Sequence, residues 1–120
     1  FYGLPVMVTS FARRMDLAAT QYVFCVMTHG GGGESAALRQ LDIILRERQG
    51  RGLDAGFGLA MPGNYILMYE PVASEKQREI LQNADSVIAD IAGAVARCEK
   101  RSLPSSLINR VLARSAWAPA

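Results

Sequence analysis

The stretch from Gln21 to Arg48, QYVFCVMTHGGGGESAALRQLDIILRER, constrains the chain more than any other. Tyr22 to Met27 carries no charge and no polar alternation, which predicts an interior strand covered on both faces, as strands of parallel sheets are. Gly30 to Gly33 let the chain turn sharply and expose backbone N–H groups, and Glu34 or Ser35 then opens a helix whose N-terminus faces that loop. Ala37, Leu38, Leu41, Ile44 and Leu45 form the apolar stripe of that helix, with Arg39, Gln40, Arg46, Glu47 and Arg48 on the wet side. Gly50 and Gly52 are its expected stop. Strand, glycine loop and helix start together predict a seat for an electron-rich ligand at the carboxyl end of a sheet.

The rest of the chain arranges itself around this unit. Upstream, Pro5 suits a first helical turn, and Val8, Phe11, Ala12 and Met15 recur at helical spacing, predicting a short helix over Pro5 to Met15 that packs through this stripe. Downstream, Phe57, Leu59 and Met61 alternate with Gly56, Gly58 and Ala60, a period of two that predicts a strand over Leu53 to Met61. Its small residues predict that a helix or a ligand comes close on that face. Strand, helix, strand is the βαβ unit, so the two strands are expected to be parallel neighbours. Met61 to Pro71 reads as a turn at Pro62 and Gly63 followed by an apolar, aromatic continuation, either strand or loop. Ser74 and Gln77 make a capping-box pattern ahead of the longest apolar stripe, Ile80 to Cys98. Leu103 and Pro104 break that helix, Ser105 caps a shorter one, and the end around Trp117 reads as tail or linker.

Composition narrows the function classes. With 120 residues, half of them hydrophobic, the chain is one domain and not a disordered one. A net charge of +2 with dispersed basic residues gives no reason to expect nucleic acid. No apolar run reaches membrane-spanning length and no signal peptide is visible, so a cytoplasmic protein is expected. Cys25 and Cys98 read as two reduced, packed thiols, and no metal cluster is signalled. The opening FYGLP without an initiator methionine predicts a fragment of a longer protein. Two strands cannot stand as an open parallel sheet, because a free edge beside apolar surface must be paired. An absent N-terminal half, a second copy of the chain or a partner protein could supply the missing strand.

The text YVFCVMTHGGGGESAALRQLDIILRER, followed by GFGLAMPGNYI and a long helix opening at Ser74 and Glu75, resembles the carboxyl half of the flavodoxin-like domain that bacterial and archaeal proteins carry fused to ferredoxin modules. The opening YGLP resembles the end of that family's Val-Tyr-x-Gly-x-Pro segment. The resemblance covers Phe1 to Glu99 and is strongest over Gln21 to Ile66. It implies a flavodoxin-like three-layer αβα fold with a parallel sheet, incomplete because the N-terminal strands are missing. Residues 1–100 would be the carboxyl part of that domain and 101–120 a short helix and tail or linker. It also implies FMN as cofactor, with Tyr2 and Gly3 in one ring-holding loop and Thr28, His29, Gly30, Gly31 and Gly32 in the other. Asn64 and Tyr65 match a family motif to which no flavin contact is assigned. The chain departs from the family twice: the phosphate-binding loop after the first strand is absent, and so are the cysteine motifs of the ferredoxin module.

Alternatives stand beside these readings. The glycine loop is either a ligand seat or a plain connector, His29 either tunes a flavin or is solvated, and Tyr2 either stacks on the ring or packs on the sheet. A Cys25 and His29 nucleophile pair is not expected, since the thiol lies in the strand and no orienting third group is apparent. Met61 and Met68 read as core or lid. The leading expectation is an FMN-binding electron-transfer domain or fragment, with a redox partner such as a ferredoxin module, which the missing half could leave inactive alone. With no catalytic residue to name, an electron carrier or oxidoreductase component is expected rather than a hydrolase or transferase. The alternatives are a non-catalytic α/β module completed by homodimerisation through the open strand edge or by a partner chain, and a flavin-dependent reductase.

Overall fold

The computed structural model describes residues 3–62 and 74–103. The elements run α1 (Val6–Arg14), β1 (Phe24–His29), α2 (Glu34–Gln49), β2 (Ala55–Ala60) and α3 (Ser74–Ala96). β1 and β2 pair in parallel with Phe24 opposite Ala55 and His29 opposite Ala60. The chain is therefore a mixed α/β protein whose described sheet has two strands, and its βαβ unit is the one expected from the spacing.

Alternation along β2 sorts the helices onto opposite faces. Ala55 and Phe57 pack with Ile91 and Ala94 of α3, while a Cβ on Gly56 or Gly58 would meet Leu38 or Glu34 of α2. The close approach expected beside the small residues is made by α2 at Gly58 and by Leu103, beyond α3, together with Leu38 of α2 at Gly56, and Leu38, Ile44 and Leu45 of α2 are the largest fully buried side chains. α2 stops at Gly50, which takes the left-handed conformation and donates its N–H to the Arg46 carbonyl.

β1 differs from the expected interior strand. Its exposure alternates, with Phe24 at 43% and Val26 at 37%, while Cys25, Met27 and His29 are half-buried. α2 packs on both strands, whereas the principal sheet contact of α3 is with β2. One face of β1 is only partly covered among the described residues, with Phe24 stacked on Tyr22. α1 packs on α2 through buried Ala12, and its apolar stripe is less covered than its spacing suggests, with Phe11 60% exposed. Both cysteines are free thiols, but Cys98 is exposed instead of packed, because α3 ends at Ala96 and Cys98 lies in the turn beyond it. No helix among the described residues is long and apolar enough to cross a membrane. Tyr2, Asn64, Tyr65, Met68, the expected helix after Ser105 and Trp117 lie outside the described residues.

Candidate functional site

At the carboxyl end of β1 the chain leaves the sheet at His29 and crosses four glycines before α2 begins. Gly32 and Gly33 have φ of 123° and 91°, a region in which side-chain-bearing residues are strained. Gly33 is the N-cap of α2 and no side chain caps the helix there, so the first helical N–H groups face the loop without a side-chain acceptor. A Cβ on Gly31 or Gly32 would meet nothing within 4 Å. The loop has room above it.

His29 organises this rim. Its Nδ1 accepts the Gly32 N–H at 3.0 Å, and its carbonyl accepts the Met61 N–H at 2.9 Å, which ties the loop's root to the end of β2. Glu34, the first residue of α2, leans its side chain across Gly58, where an added Cβ would come within 2.8 Å of Glu34 Cγ. Its Oε2 is shut off from solvent without a hydrogen-bond partner, 3.8 Å from His29 Nδ1. An accepting Nδ1 has its lone pair committed, so the ring proton belongs on Nε2 and Nδ1 has nothing to give Glu34. The orphaned carboxylate oxygen follows from that arrangement.

Thr28, His29, Gly30, Gly31 and Gly32 therefore gather on one rim, with Thr28 exposed and opposite Leu59 in the sheet register. Gly3 is placed elsewhere: it lies against Gln40, whose Oε1 accepts the Leu4 N–H at 2.7 Å, well along α2 from the loop. Glu34 carries the least satisfied polar atom of the rim, yet from the sequence it reads only as an acidic residue favoured by the helix dipole. Its signal was the pairing of an acidic first helical residue with a glycine opposite it in the next strand, visible only once register is known.

The opposite end of the strands holds an open basin of about 480 Å³ lined by Gln21, Arg46, Gly50 to Asp54 and Lys100. Its size does not make it the better ligand site, because Arg46, Arg51 and Asp54 are committed to partners, which leaves Gln21 and Lys100 as its open polar side chains. Arg46 donates to Asp42, Arg51 pairs with Asp54 and donates to the Thr20 carbonyl, and Asp54 accepts the Val23 N–H. Asp42 also accepts the Leu53 N–H at 2.7 Å. This end is a structural latch.

The residues at the carboxyl rim fit the ring edge of a flavin in one respect and not in another. Open, glycine-walled backbone suits a flat ring approaching closely, but among the described residues there is no loop for the phosphate. No family model matches the chain, and neither the curated proteins nor the solved structures contain a match.

Proposed function

We propose that the chain forms part of a flavodoxin-like electron-transfer domain, with Thr28 and His29 at the end of β1 and the glycine loop after them, through Gly32, seating the edge of an FMN ring. The observation that carries this reading is the loop itself: a glycine run with Gly32 and Gly33 at positive φ, rooted at the carboxyl end of a parallel strand and opening a helix with no side-chain cap. Ligands of open α/β sheets gather at that end, where backbone amides and the helix dipole meet electron-rich atoms. The helices on opposite faces of β2 agree with a three-layer arrangement. Bound FMN would supply the electron chemistry. The chain's own residues would bind and orient: loop N–H groups donate to ring acceptors, and His29 fixes the loop through Gly32.

FMN fluorescence tests this. Titration into the purified chain is expected to quench flavin emission and shift its visible band, and the absence of both would count against the proposal.

The partly covered face of β1 favours a second reading. Phe24 and Val26 on an uncharged strand resemble no protected edge, since edges are normally blunted by charge, proline or a bulge. The same strand has a free edge among the described residues, which a strand from a second copy or a partner chain would pair in a non-catalytic α/β module, while Phe24 and Val26 need a layer packed over the face. A stable dimer in light scattering, with no flavin response, supports that reading over the first.

A further inference from the structure

We propose that His29 is a proton-operated latch on the glycine loop: neutral, it holds the Gly32 N–H; protonated, it releases Gly32 and pairs with Glu34. This goes beyond the flavin reading and holds whether or not the loop carries a ligand. The geometry supplies both states. In the neutral ring the Nδ1 lone pair accepts the Gly32 N–H at 3.0 Å. A proton taken from solvent occupies that lone pair, so the Gly32 bond is lost and Nδ1 becomes a donor. The nearest waiting acceptor is Glu34 Oε2, at 3.8 Å, buried and without a hydrogen-bond partner.

The surroundings favour one direction. α2 presents Glu34 to the ring, while β2 presents Ala60 in register and Gly58 beneath the Glu34 side chain, neither of them charged. Among the described residues of the packed elements the imidazolium would therefore meet a carboxylate and no opposing side-chain cation, with the amide end of α2 as the one partial positive charge against it. Gly32, at φ 123° with open space around it, has no side chain to hold it once the bond is gone. Protonation of the ring would loosen the loop and tighten the start of α2.

Nitrogen-edited spectra of the whole chain test this without a variant. At neutral pH the long-range ring couplings should place the His29 proton on Nε2. As the ring is protonated, the Gly32 amide signal should move with the same midpoint, its exchange protection should fall about tenfold, and the Glu34 carboxyl carbon should shift in step. In His29→Gln the side-chain acceptor does not titrate, and the Gly32 signal should stay flat over that range. A neutral ring protonated on Nδ1, or a Gly32 amide unmoved while the imidazole titrates, would overturn the proposal.

Discussion

At the amino ends of β1 and β2, Asp42 and Asp54 each bind a backbone N–H and an arginine, and Arg51 reaches on to the Thr20 carbonyl. At the carboxyl ends, six residues along each strand, Glu34 has an oxygen without a partner and the loop is built of glycines with open space around Gly31 and Gly32. The same pair of strands therefore ends in a closed latch on one side and an unsatisfied rim on the other. Satisfied networks rigidify, and strain or orphaned polar groups collect where a protein binds or switches. The difference places the satisfied network at the amino end, and it is the reason we propose the ligand site at the carboxyl end.

Substitutions at matched glycines break the comparison most sharply. A Cβ on Gly52 would collide with Asp42 and come within 2.8 Å of Arg46 Nε, so Gly52→Ala should displace the carboxylate from Leu53 N–H. The expected loss in denaturant unfolding is about 3 kcal/mol. Gly32→Ala meets open space and bears only backbone strain, for which about 1 kcal/mol is expected. Equal costs would erase the distinction between the two ends.

The carboxylates sharpen it next. Asp54→Ala strands the Val23 N–H and Arg51 together and should lose about 2 kcal/mol by the same measurement. Glu34→Gln removes a charge that has no hydrogen-bond partner but also one favoured by the helix dipole, and the two effects should leave stability within about 1 kcal/mol of the parent.

How much of this was legible beforehand depends on whether the signal was periodic or relational. The stripe from Ala37 to Leu45, the alternation from Phe57 to Met61 and the glycine stop at Gly50 are local patterns, and each became the element it suggested. The partly covered face of β1 was not legible, because an apolar strand reads the same whether a neighbour covers it or not. Nor was the latch: Asp42, Arg51 and Asp54 look like ordinary surface charges until register brings Val23 and Leu53 within reach of them. Gly3 illustrates the remaining gap, since its partner Gln40 is a polar residue of the helix's wet side.

Thiol reactivity gives a smaller effect. Burial pushes the Cys25 thiol up, while Cys98 is exposed in the turn after α3. A raised value means the stability contribution is intact below the ordinary thiol range and is lost as pH rises through the folded value. With an alkylating reagent near pH 8, Cys98 should react at least about tenfold faster than Cys25. Smallest is the Asp90 pairing, where the hydrogen bond from Arg101 lowers the carboxyl's affinity for protons. Its contribution is present above the ordinary carboxylate range and fades as pH falls, so Asp90→Asn should differ slightly from the parent at neutral pH and converge with it in acid. Urea unfolding at both pH values would show it.

The most direct measurement is an amide map of FMN binding to the whole chain by nitrogen-edited NMR. Ligand seating at the carboxyl rim should move the signals of Thr28 to Gly33 and Glu34 and leave Leu53, Asp54 and Arg51 in place. Signals that move at Gln21 and Gly50 to Asp54 instead, or none that move at all, would contradict the assignment of function to the glycine-walled end.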